Sequence, residues 1–189
     1  EFPELQGVLG GHFAEAQGFE KEVCQSVSEH YLPSGLDSRV PKNLYSISIS
    51  LSDKLDTLVG FFGLDLIPTS SKDPYALRRY AIALVRLIIE NKIKIKLRSI
   101  INYSLTLYKE QGYEFNITKV LKELNNFILD RLKNYSKEKD IRMDIIESSV
   151  LSNDIDELYN AYRKAEILNK NINKELGKDV VEIYKRSSN

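Results

Sequence analysis

The stretch Asp73-Pro-Tyr-Ala-Leu-Arg-Arg-Tyr-Ala-Ile-Ala-Leu-Val-Arg-Leu-Ile-Ile-Glu-Asn91 decides the fold class. Asp73 is a residue type that caps free backbone N–H groups, and a proline at the first helical position forfeits no hydrogen bond, so Asp73-Pro74 reads as a helix start. Leu77, Ala81, Leu84, Val85 and Ile88 then recur at i, i+4, i+7, i+8 and i+11, the spacing of one buried helical face. Upstream, Leu51, Leu55, Leu58, Val59 and Phe62 follow the same spacing and predict a helix closing near Gly63. Gly63 to Lys72, between the two, is too polar and too proline-bound for a regular element. Pro41 to Ser46 reads as a connector. His12 to Tyr31 reads as one helix, with Phe13, Ala16, Val23, Val27 and Tyr31 inward and Pro33 ending it.

Downstream, Lys92 to Arg98 alternates charged and apolar residues, but no second strand candidate lies nearby. It reads instead as a turn into a helix carrying Leu97, Ile101, Leu105 and Tyr108, ended by Gly112. A long helix from Ile117 to about Lys139 carries Val120, Leu121, Leu124, Phe127, Ile128, Leu132 and Tyr135 on one stripe. Shorter helices near 144–151, 154–170 and 173–186 complete the expected architecture, an all-α irregular helical bundle.

Composition sets the outer limits. The 189 residues are 42% hydrophobic and 29% charged, values of a globular protein, which exclude disordered and fibrous classes. The longest run without a polar residue, Leu58 to Leu64, is far short of a membrane span. Cys24 has no partner for an internal disulfide, and one cysteine with two histidines does not make a typical four-ligand zinc site. A reducing cytoplasm is the expected location, with no secretory signal and no membrane contact. The chain opens on Glu1 and closes on the polar run Lys185 to Asn189, so a piece of a longer protein is expected.

The 27 basic and 27 acidic side chains cancel, yet they are unevenly placed: residues 1–74 hold 5 basic and 11 acidic groups. All five prolines and seven of the nine glycines also lie before position 75, so the first part is acidic and punctuated by loops. The densest cationic cluster follows at once: Arg78, Arg79, Arg86, Lys92, Lys94, Lys96, Arg98 and Lys109, opposed between 75 and 110 only by Glu90 and Glu110. Arg79 and Arg86 are seven residues apart, about 20° around a helix, and are expected to share one exposed edge. Such a row neutralises phosphates, and guanidinium forks bind them bidentately; a solvated face complementing the acidic first part is the alternative. Asp53 and Asp56 lie one turn apart on a face balanced by Lys54, a weak candidate for metal or acid–base chemistry. His12 and His30 read as residues near helix ends.

Two long strings carry a family resemblance. Glu1-Phe-Pro-Glu-Leu-Gln-Gly-Val-Leu-Gly10 resembles "EFPELQGxMG" of the β subunit of bacterial tetrameric glycyl-tRNA synthetases, and Ser52 to Gly63 resembles its "ADKLDTLVGFFG". The adjoining Ile67 to Arg79 is similar to "IPTGSKDPFALRR", and Glu29-His-Tyr-Leu-Pro33 to "EHYLP". Phe127 to Tyr135, Asp144 to Leu151 and Tyr184 to Asn189 resemble its "F..DRL..Y", "D.I.AVL" and "NKRVSN" blocks. Ser52 stands for the family's Ala, Leu9 and His12 for its Met and Tyr, and Ser70 for a loop Gly. That last change asks whether the loop needs a left-handed backbone, where Ser costs roughly 1 kcal/mol.

The resemblance implies a ligase of two α and two β subunits that joins glycine to tRNA(Gly) using ATP. The α subunit binds ATP and activates glycine, and the β subunit binds and positions the tRNA. Residues 1–91 would then be the C-terminal part of an HD-like domain, and residues 92–189 a helical linker leading to an anticodon-binding domain. The implied role is non-catalytic tRNA positioning and structural support, with no cofactor in this piece. Lys72, Arg78, Arg79 and Arg86 are the expected contacts to phosphate or 2′-hydroxyls, with Tyr75 as a stacking partner. Asp53-Lys-Leu also resembles the last metal-binding aspartate segment of HD phosphohydrolases, which makes Asp53 and His30 weak metal candidates. That rival predicts a bound divalent metal near Asp53; a third reading is a pure scaffold for the α subunit and neighbouring β domains.

Overall fold

A computed structural model describes residues 5–151, 155–175, 177–179 and 182. It is an all-α bundle of eight α-helices among these residues: α1 (Val8–Ala16), α2 (Lys21–Glu29), α3 (Leu44–Gly63), α4 (Leu77–Glu90), α5 (Leu97–Glu110), α6 (Ile117–Glu138), α7 (Met143–Leu151) and α8 (Leu158–Asn171). A 3-10 turn at Ile155–Glu157 leads into α8. Glu1 to Glu4, Tyr184 to Asn189 and half of the helix expected over 173–186 lie outside the described residues.

Helix α4 is the axis of the molecule, packed against α3, α6 and α8. The five positions its period picks out are all buried, as are Ile82, Ala83, Arg86, Leu87 and Ile89. Ile82 and Ile89 belong to the common core, while the chain around 32–42 crosses the other side of the helix, its Gly35 carbonyl meeting Arg86 and Lys42 reaching the Glu90 carbonyl. An amphipathic period thus sits on a helix that is covered almost all round. Phe62 of α3 and Phe127 of α6 meet beside it at 5.1 Å between ring centroids. The buried cluster runs without interruption from Leu55 to Ala165, passing position 91, so α3–α8 share one core.

Two glycines of the Ser52–Gly63 string have packing roles. A Cβ on Gly60 would strike the Tyr108 hydroxyl, and one on Gly63 would strike the Phe115 ring. Tyr108 and Phe115 stack at 5.3 Å, closing α5 and the α5–α6 loop onto the end of α3. Tyr108 donates to the Asp56 carbonyl at 3.1 Å. Its burial, helped by the Asp56 carboxylate, pushes its pKa up to about 12.

Three sequence expectations need correction. His12 to Tyr31 is not one helix: α1 ends at Ala16, the chain turns through Gly18 at φ +82°, and α2 starts at Lys21. The hairpin is held by close approach of Gly11 to Ser28 and Cys24, and it leaves Phe13 and Val23 exposed rather than inward. Helix α3 begins at Leu44, seven residues before its apolar period, because Asn43 caps it by accepting from the Tyr45 N–H at 2.8 Å. In its serine-rich first half Ser46 and Ser50 are buried, and Ser50 donates to the Leu32 carbonyl. Finally, α4 starts at Leu77 and not at Pro74, which sits in a turn with Tyr75.

Candidate nucleic-acid interface

The segment Pro68 to Ala76 is a braced loop that leads into α4. The Thr69 N–H donates to the Lys72 carbonyl at 3.0 Å, and the Lys72 N–H to Thr69 Oγ1 at 3.2 Å. Asp73 caps α4 across the turn: Oδ1 accepts from the Leu77 N–H at 2.8 Å and Oδ2 from the Arg78 N–H at 3.0 Å. This reach is possible because Ala76, not a proline, occupies the cap position in a left-handed conformation at φ +56°. Ser70 is not among the positive-φ residues, so its replacement of a glycine carries no backbone penalty.

The five expected contact residues divide. Lys72 and Arg79 are exposed, and Tyr75 is 47% exposed while its ring rests on Phe61 at 4.5 Å between centroids. Arg78 is half-buried, donating to the Thr69 carbonyl and lying 3.8 Å from Asp73, so part of its guanidinium braces the loop. Arg86 is only 7% exposed: Nε donates to Glu90 Oε1 at 2.7 Å and Nη1 to the Gly35 carbonyl. The exposed edge expected for Arg79 and Arg86 is therefore corrected. Both project from similar angles of α4, but the 32–42 crossing covers only the second.

The lysines beyond α4 explain the charge alternation of 92–98. Lys92, Lys94 and Lys96 point outward while Ile93 and Ile95 pack against the core. Lys94 and Lys96 line a cleft with Asp156 and Glu157, and the Arg98 N–H donates to Asp156 Oδ1 at 2.6 Å. Much of this run faces carboxylates of its own chain.

Lys54 is not the solvated balance to Asp53 that the sequence suggested. It is 2% exposed, with Nζ 3.5 Å from Asp53 Oδ2 and donating to the His30 carbonyl at 3.1 Å. Burial pushes its pKa down, opposed by the Asp53 charge. The Asp53 carboxylate is thus engaged by an ammonium, and His30 Nδ1 lies 2.7 Å from the Val27 carbonyl of its own helix. Among the described residues no three His, Cys, Asp or Glu side chains gather in a metal-binding group.

Arg79 stands on the ridge between two clefts. One, of about 330 Å³, has Lys54 among its lining residues, with Tyr31, Pro33, Asp53, Tyr75 and Tyr80 around it. The other, of about 770 Å³, lies between α4 and α6 and brings Arg131, Asn134 and Lys137 to face Arg78 and Arg79. Sequence reasoning missed these three α6 residues. The Phe127–Tyr135 block contains Arg131, but nothing local pairs it with a residue some fifty positions earlier. No helix among the described residues is long and apolar enough to cross a membrane.

Comparison with known proteins bears on both the loop and the core strings. Residues 1–151 match the family model described as glycyl-tRNA synthetase beta subunit. Over its full length the chain is 36% identical to the glycine--tRNA ligase beta subunit of Rhodospirillum centenum and 35% identical to that of Cereibacter sphaeroides. It is 36% identical over 190 aligned residues to that of Rickettsia canadensis. The chain spans about a quarter of the length of these curated relatives, 26–27%. With a family model covering four-fifths of its residues, including the braced loop and both glycines of the α3 string, this chain belongs to the glycyl-tRNA synthetase beta subunit family.

Proposed function

We propose that this chain is the tRNA-positioning and structural part of a glycine–tRNA ligase β subunit. In this reading residues 1–91 are the end of an HD-like domain and residues 92–189 a helical linker. Glycine activation with ATP would occur on the partner α subunit, and the chain would contribute no catalytic side chain. Its working surface is the ridge formed by Lys72, Tyr75 and Arg79. The observation that carries this is the division of labour in the loop: Asp73 and Arg78 lock its backbone, while Lys72, Tyr75 and Arg79 stay exposed. Rigidly held cations with an exposed ring beside them suit a phosphate backbone and an unstacked base.

The test is a salt titration of tRNA(Gly) binding by the complete enzyme carrying Lys72→Gln and Arg79→Gln. Loss of two phosphate contacts flattens the log–log salt slope by about two units, and glycine activation stays unchanged. An unaltered slope with weakened subunit association would overturn the reading in favour of a scaffold. That second reading is favoured by one observation, the exposed apolar residues Leu9, Phe13, Phe19 and Val23 on the α1–α2 hairpin.

A further inference from the structure

The cleft between α4 and α6 gathers four cationic side chains, Arg78, Arg79, Arg131 and Lys137, against two carboxylates, Asp37 and Glu138. Like charges lining one concave wall repel each other, and that repulsion is relieved when an anion sits among them. Arg131 is the most telling member. Its guanidinium lies 5.0 Å from the centroid of the Phe127 ring, and its Nε is buried with no hydrogen-bond partner. Burial foremost, and Arg78 in addition, hold Arg131 below the usual guanidinium pKa, against the opposing pull of Asp130 and Asp73. Arg131 as a whole is only half-buried and lines the cleft, so its guanidinium, backed by Phe127, is presented to an anion entering between α4 and α6. The fork of an arginine matches two oxygens of one phosphate. Asn134 adds a neutral polar group, and Leu36 and Ile82 give the wall an apolar portion that suits a sugar or base.

We propose that this α4–α6 cleft binds a phosphodiester of the tRNA backbone, with Arg131 as the fork and Lys137 as a second cation. This rests on the tRNA-positioning reading and extends it from the loop onto α6. RNA is the source favoured over a free phosphate metabolite because Arg79 lines both this cleft and the one beside Tyr75, so one extended polyanion can occupy the whole ridge. The path of the strand would then cross from α4 to α6, bridging the parts before and after position 91.

The experiment compares Arg131→Gln, Arg131→Lys, Lys137→Gln and Lys72→Gln in the complete enzyme, measuring tRNA(Gly) affinity by fluorescence anisotropy over a range of salt. Arg131→Gln is expected to weaken binding about tenfold near 0.1 M salt and to flatten the slope by about one unit. Arg131→Lys should restore the slope but not the affinity, because it keeps the charge and loses the fork. Lys137 is exposed, so Lys137→Gln leaves folding intact and decides the matter alone if Arg131→Gln does not fold. Wild-type binding by Arg131→Gln and Lys137→Gln, with Lys72→Gln weakened, overturns the cleft and leaves the loop reading standing. Wild-type binding by all variants overturns both. Competition by inorganic phosphate at low millimolar concentration, without loss of RNA affinity in the variants, would identify a small-anion site and overturn the RNA assignment.

Discussion

Arg79 and Arg86 sit seven residues apart on α4, at nearly the same angle, and have opposite surroundings. Arg79 is exposed on a ridge; Arg86 is sealed beneath the 32–42 crossing and tied to Glu90 and the Gly35 carbonyl. The helix period fixes which side a residue faces, but whether that side meets water depends on a segment forty to fifty residues earlier. The lesson is that a row of cations in sequence is not a row on the surface. The positive surface is instead rebuilt with Arg131 and Lys137, contributed by another helix.

The contrast gives predictions that rank by size. Arg86→Met should be the most damaging, because it removes the partner of a largely buried carboxylate and strips an acceptor's donor at Gly35. A loss of about 2–3 kcal/mol in urea unfolding is expected. Asp73→Ala should come next. It uncaps α4 and releases Arg78, costing about 1–2 kcal/mol in the same assay, and lowers tRNA affinity by loosening the ridge.

A third effect concerns the packed end of α3. Tyr108 has a folded pKa near 12, above the ordinary phenol value, so the native state holds its proton more tightly than the unfolded chain does. Its stabilising contribution is complete below pH about 10 and is lost as pH rises through about 12. Stability measured across that window should fall, and Tyr108→Phe should flatten part of the fall. A decline identical in the variant would show that Tyr108 is not its source. Smallest of all, Arg79→Met should change unfolding free energy by no more than about 0.5 kcal/mol while weakening tRNA binding. Equal destabilisation by Arg79→Met and Arg86→Met would erase the contrast between the two positions.

Much of the architecture was readable in advance. Gly112, the Leu97–Tyr108 helix and the Ile117–Lys139 helix fall where period and punctuation put them, since long strongly periodic segments leave little choice. The turn at Gly18 was missed because apolar residues on either side happen to continue one period across it, although the glycine itself was the available signal. The early start of α3 was missed because its first turns bury serines, which an apolar pattern does not register. Of the expected contact residues, Lys72, Tyr75 and Arg79 lie exposed, but the spacing that put Arg79 on an exposed edge put Arg86 there too, and Arg86 is buried.

The amino-acid order by itself determined the all-α class, the inward stripes of α4 and α6, and the family, since these depend on local spacing and on contiguous strings. Only the tertiary structure decided that Arg86 is internal, that Lys54 is buried beside Asp53, and that Arg131 and Lys137 face Arg79. Burial and charge proximity depend on which distant segments pack together, and no local pattern encodes the exposure of a charge.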